Sequence, residues 1–128
     1  IDEPPLFEYS EHGKPSIVGH PEIYFNLSHC RSVAACVVSL SPVGVDVEDV
    51  REFKESLARY VLNDDEYAAV MSSQSPAQEF IRLWTMKESY LKLTGEGITR
   101  DLKTVLTDMG KYHFDTRFLH TSILTICY

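Results

Sequence analysis

Positive charge is scarce in this chain: 12 Lys and Arg stand against 19 Asp and Glu over 128 residues, for a formal net charge of -7. A protein that grips nucleic acid needs clustered cations for the phosphate backbone. No such cluster occurs here, so nucleic acid is excluded as a partner, and any anionic ligand must meet a local cation or a metal. Cysteine is sparse too. Cys30, Cys36 and Cys127 are odd in number and lack CxxC or Cys/His ligand spacing, which excludes a disulfide framework and a zinc cage. The expectation is buried thiols in a reducing cytoplasm. No run approaches the roughly 18 to 20 apolar residues that span a bilayer, and no basic-then-apolar leader occurs, so a soluble protein with no membrane partner is expected. The chain starts at Ile1 rather than Met and stops inside the apolar run Ser122 to Tyr128. Both ends read as cuts in a longer chain.

What is present suffices for one core: 44% of the residues are hydrophobic, and a second full domain would not fit in this length. Residues 1–22 hold Pro4, Pro5, Gly13, Pro15, Gly19 and Pro21, which predicts irregular, loop-like chain. Ile23 to Leu27 and Val33 to Leu40 are short runs of β-branched, aromatic and small apolar residues around a polar connection, the pattern of a hairpin. Val43 to Glu48 alternates valines against Gly44, Asp46 and Glu48 and predicts a half-buried strand with both carboxylates on one face. From Phe53 to Met71 the period becomes helical, with Asn63-Asp64-Asp65 placed to cap the second of two short helices. Ser75 and Pro76 open the longest helix, Phe80, Trp84 and Leu91 give it an apolar stripe, and Gly95 and Gly97 end it. Tyr112 to Leu119 and Thr121 to Tyr128 read as strands turning at His120. Strands, then helices, then strands predict an α+β fold with an antiparallel sheet.

Carboxylates mark the first candidate site. Asp46 and Glu48, at i and i+2 on a strand, leave the same face with Cα atoms about 6 to 7 Å apart, within reach of one divalent ion. The plain alternative is a solvated strand face. Glu88 lies on the margin of the apolar stripe, near Trp84 and Leu91. It is either half of an i,i+4 surface pair with Lys92 or a third oxygen ligand. Three carboxylates brought together without a cation would repel, and an all-oxygen donor set points to Mg2+ or Mn2+ rather than zinc. Phe25-Asn-Leu-Ser-His29 ends a strand with a hydroxyl and an imidazole that could hold a phosphate or simply form a turn. Adjacent residues on a strand point apart, which excludes a Ser/His nucleophilic pair. Gly13-Lys-Pro15 is a fixed turn that presents one lysine, to a ligand or to solvent.

These segments, in this order, resemble the surfactin-type 4′-phosphopantetheinyl transferases: Gly13-Lys-Pro15, Phe25-Asn-Leu-Ser-His29, Gly44-Val-Asp-Val-Glu48 and Trp84-Thr-Met-Lys-Glu-Ser-Tyr-Leu-Lys92. The likeness runs from about Tyr9 to the end, and its last two segments form the family signature. Ser16 stands where family members usually carry an aromatic residue, and Cys30 where serine or threonine is commoner. The resemblance implies an α+β pseudo-dimer of two similar subdomains, with coenzyme A in the cleft between them. Residues 1–42 would then be the end of the N-terminal subdomain and 43–128 the C-terminal catalytic subdomain. It implies that Asp46, Glu48 and Glu88 hold Mg2+ on the coenzyme A pyrophosphate, and that Lys14, Ser28 and His29 contact the nucleotide with its 3′-phosphate. Lys92 would lie beside the pyrophosphate, with Glu88 and Lys92 as the catalytic pair. The implied activity is transfer of 4′-phosphopantetheine from coenzyme A to a serine of an apo acyl or peptidyl carrier protein, releasing 3′,5′-ADP. Two other expectations remain open: a coenzyme A- and metal-binding fragment without turnover, and an unrelated interaction module whose carboxylates are scattered. Self-association, or pairing with a missing N-terminal subdomain, follows from a fragment reading.

Overall fold

The computed structural model describes residues 3–96, 101–106 and 111–128. The proline-rich start is more regular than expected. Strands β1 (Phe7–Tyr9) and β2 (Pro15–Ile17) pair antiparallel, joined by a turn in which Gly13 takes φ 83 and Ser10 N and Lys14 O share a 2.9 Å hydrogen bond. Strands this short carry no periodicity that a sequence pattern could register.

Strands β3 (Tyr24–His29) and β4 (Ala34–Ser39) form the expected hairpin, with Leu27 opposite Cys36 and Ser28 opposite Ala35. A third sheet has the order β5-β7-β6, from β5 (Gly44–Asp49), β6 (Phe114–Leu119) and β7 (Ser122–Cys127), all antiparallel. His120 turns the last hairpin at φ 43. Helices α1 (Glu55–Val61) and α2 (Asp64–Ser72) follow the sequence reading, and Asn63 and Glu66 form a reciprocal capping box at the start of α2. The long helix α3 (Pro76–Thr94) ends at Gly95, whose φ of 75 is the left-handed conformation that closes helices. Ser75 stands at its N-cap without a side-chain bond. Gly97, expected to end the helix as well, lies outside the described residues. No helix among the described residues is long and apolar enough to cross a membrane.

The core lies where α3 packs across β5 and β7. Phe80 is 1% exposed and contacts the rings of Phe53 and Trp84, and Leu91, Val61, Val70 and Ile123 belong to the same cluster. The fold class is α+β, with an antiparallel sheet against one long helix. One expectation fails in detail. Over Gly44 to Val47 strand β5 is buried on both faces, with Val45, Val47 and Asp46 at 1, 0 and 3% exposed, and only Glu48 and Asp49 stay half-buried. Helix α3 covers the polar face as well, and it can do so because residue 44 is glycine. A Cβ there would collide with the Ser89 carbonyl oxygen and lie 2.7 Å from Leu93 N. Among the described residues the outer edge of β5 is not paired to a strand backbone. Asn26 Oδ1 accepts from Val45 N at 2.8 Å and Ser28 Oγ accepts from Val47 N at 3.0 Å, so two side chains of β3 take the place of a ladder.

Candidate active site

Close contact between α3 and the polar face of β5 sets Glu88 and Lys92 against Asp46 and Glu48. Asp46 Oδ1 accepts from Ser28 Oγ and from Lys92 Nζ, each at 3.3 Å. Its second oxygen, Oδ2, is buried with no hydrogen-bond partner among the described residues. Such an orphan is costly. Burial, opposed by the Lys92 ammonium and reinforced by the charges of Glu48 and Glu88, leaves the Asp46 carboxyl raised to about 7. Glu88, half-buried, is also raised, first by burial and then by Glu48, against the pull of Lys92. The three carboxylates therefore sense one another's charge. Among the described residues, no three Asp, Glu, His or Cys side chains close into a metal cage. What Asp46 meets is Lys92, whose Nζ also donates to Val45 O at 3.1 Å and to Leu27 O at 3.4 Å.

A metal still suits the donor set. All the donors are oxygens, one carboxylate oxygen is buried and unpartnered among the described residues, and the three carboxylates outnumber the Lys92 ammonium that Asp46 and Glu88 sense. A hard divalent cation would remove both penalties.

The remaining expected residues divide. Ser28 is buried, its hydroxyl held between Asp46 Oδ1 and Val47 N, so it braces the carboxylate in this structure. His29 is exposed at the end of β3, opposite Ala34. Lys14 is half-buried, and its Nζ donates to the carbonyls of Lys92 and Leu93 at the end of α3. Beside these groups lies a cleft of about 250 Å3 between the β1–β2 turn and α3, lined by His12, Lys14, Asn26, Leu27, Glu88 and Lys92.

Sequence reasoning missed two residues. Asn26 holds the edge of β5. Lys87, neighbour of Glu88, is fully buried, and its three donors meet Val61 O at 2.7 Å, Glu66 Oε1 at 2.7 Å and Leu102 O at 2.8 Å. The signal for Lys87 was present. Positions 80, 84, 87 and 91 continue one helical stripe, and a lysine there implies a buried ammonium with acceptors supplied from elsewhere.

The family model for the 4′-phosphopantetheinyl transferase superfamily matches residues 42–125. The chain is 37% identical over 101 residues to the 4′-phosphopantetheinyl transferase psf-1 of Bacillus pumilus, covering 77% of this chain and 43% of that protein. It is 32% identical over 98 residues to the transferase Sfp of Bacillus subtilis, with 75% and 44% covered. To the transferase HetI of a Nostoc species it is 36% identical over 102 residues, with 73% and 43% covered. The chain thus spans less than half the length of these curated relatives.

Proposed function

The chain belongs to the 4′-phosphopantetheinyl transferase superfamily, and on that premise we propose that it carries the catalytic side of a Mg-dependent holo-carrier-protein synthase. Coenzyme A is the donor and a serine of an apo acyl or peptidyl carrier protein the acceptor. The serine oxygen attacks the β-phosphorus of coenzyme A, a phosphorus–oxygen bond to the nucleotide breaks, and 3′,5′-ADP leaves with the electron pair. The observation that carries this reading is the buried, unpartnered Oδ2 of Asp46 in a site where Glu48 and Glu88 add negative charge. Asp46, Glu48 and Glu88 would hold Mg2+ or Mn2+, which when bound supplies Lewis-acid polarisation of phosphoryl oxygens.

The chain's own groups do the rest. Glu88 takes the serine proton directly or through a water it holds. Lys92 neutralises charge on the transferred group. Lys14, Ser28 and His29 border the nucleotide. Two of the three Lys14 donors face helix carbonyls, which leaves one for an anion. Residues 1–42 belong to the end of an N-terminal subdomain and 43–128 to the catalytic one, a division supported by the family match beginning at residue 42. The outer face of the β3–β4 hairpin, where Leu27 is 55% and Val38 67% exposed, is the surface for pairing with further subdomain or with another copy. The three free thiols suit the cytoplasm.

The test is incubation with an apo carrier protein, coenzyme A and Mg2+, followed by intact-mass measurement of the carrier. Gain of the phosphopantetheine arm, absent without the divalent ion, supports the assignment. No gain despite Mg-dependent coenzyme A binding would replace it with a binding fragment that does not turn over.

A further inference from the structure

The last turn of a helix leaves carbonyl oxygens without intrahelical partners. At the end of α3 three of these have identified donors. Leu91 O accepts from Gly95 N at 2.9 Å and from Thr94 Oγ1 at 3.1 Å. Lys92 O and Leu93 O accept from Lys14 Nζ at 2.7 and 2.8 Å. Lys14 reaches them from 78 residues away along the chain, out of a turn that is itself tied down: Ser10 N donates to Lys14 O at 2.9 Å, Lys14 N to Ser10 Oγ at 3.0 Å and Gly13 N to Ser10 O at 2.9 Å. Pro15, next in sequence, fixes the backbone beyond it. A cation bonded to the negative end of a helix is favourable in its own right. One of the two carbonyls belongs to Lys92, whose ammonium is the cation facing Asp46.

We infer that Lys14 is a positioning residue: its ammonium anchors the last turn of α3 and so fixes where the Lys92 ammonium sits over Asp46. The role ascribed to Lys92 rests on the transferase reading above. The anchoring itself does not, because both bonds exist without any ligand. Two simpler accounts differ in what they predict. If Lys14 only contacts coenzyme A, its removal raises KM for coenzyme A and leaves the ligand-free protein unchanged. If it only glues the hairpin to the helix, its removal loosens the molecule broadly, not one turn of one helix.

Amide hydrogen exchange of the ligand-free chain, read by mass spectrometry on peptides covering residues 92–96 and 76–80, separates these accounts. Lys14→Met keeps most of the stem and removes the charge, whereas Lys14→Arg keeps a cation able to reach the carbonyls. We expect about tenfold faster exchange at 92–96 in Lys14→Met, since bonds to a charged donor are lost, no change at 76–80, and recovery toward wild type in Lys14→Arg. In the transfer assay, kcat should fall by more than KM for coenzyme A rises, because a displaced Lys92 harms the transition state more than the ground state. Unchanged exchange at 92–96 in Lys14→Met would overturn the inference, and so would equal acceleration at both ends of the helix. If the wild-type chain shows no transfer, the function proposed above is what fails, and exchange at 92–96 still decides the role of Lys14.

Discussion

Two lysines five residues apart on one helix each pair with a carboxylate, and the two pairs are built to opposite standards. Lys87 is sealed. All three of its donors have acceptors, its carboxylate partner Glu66 also accepts from Asn63 N at 2.9 Å in the capping box of α2, and the cage joins the end of α1, the start of α2 and the turn at Leu102. Lys92 and Asp46 are left incomplete. The ammonium is partly exposed, one carboxylate oxygen has no partner, and two further carboxylates raise the local negative charge. A complete buried network holds a fold, whereas an incomplete one is strained in a way that a ligand can relieve. The difference supports the proposal that Asp46 with Lys92 serves function while Lys87 serves architecture, although the two lysines look alike in sequence.

The largest expected effect breaks the architectural side. Lys87→Met should cost about 3 to 5 kcal/mol, because Glu66 and two carbonyls lose their buried partner, and urea unfolding would read it as a lower midpoint. A loss below about 1 kcal/mol would mean the cage is not what holds α1, α2 and α3 together. On the functional side the sign should reverse. Asp46→Asn removes a buried charge, so stability at pH 8 should stay level or rise by about 1 to 2 kcal/mol. Transfer should nonetheless fall by on the order of a hundredfold or more. A drop in stability as large as that of Lys87→Met would erase the distinction.

The pH dependence sharpens the same comparison. The Asp46 carboxyl goes from an ordinary 3.8 to about 7 in the folded protein. Between those values the folded state binds more protons than the unfolded one, so stability falls as pH rises. The penalty is absent below about 4, grows up to about 7 and is constant above it. Thermal unfolding without divalent ions should show this slope, amounting to a few kcal/mol at most. Mg2+ with coenzyme A should raise stability at pH 8 far more than at pH 5, and equal effects at both pH values would detach the slope from Asp46. The smallest effect concerns His29. His29→Ala should weaken coenzyme A by about tenfold and leave 3′-dephospho-coenzyme A unaffected. Equal loss on both donors would remove His29 from the 3′-phosphate.

What the sequence displayed and what it hid differ by the range of the interaction. The β3–β4 hairpin, the capped α2 and the stripe of α3 follow from periods and caps within a few residues. The Asp46–Glu48 pair was visible because i and i+2 share a strand face, and Glu88 because it lies beside an apolar stripe. Strand β5 looked half-buried because nothing local to it says that a helix covers its polar face, although Gly44 permits that approach. Lys14 and Ser28 stood out as residues, but their partners in this structure are backbone groups and a carboxylate from distant segments. Backbone acceptors leave no letter in a sequence. Lys87 was legible only by asking what a lysine does at a buried helical position.

Binding of Mn2+ in the presence of coenzyme A, followed by electron paramagnetic resonance, tests most directly whether the incomplete pair is a cation site. Wild-type chain and Lys87→Arg should each take up one ion. Asp46→Asn and Glu88→Gln should bind it at least about tenfold more weakly, with folding intact by circular dichroism. Undiminished Mn2+ uptake by both carboxylate variants would contradict the account, since the unpartnered Asp46 oxygen and its neighbours would then be a flaw in packing and not a site.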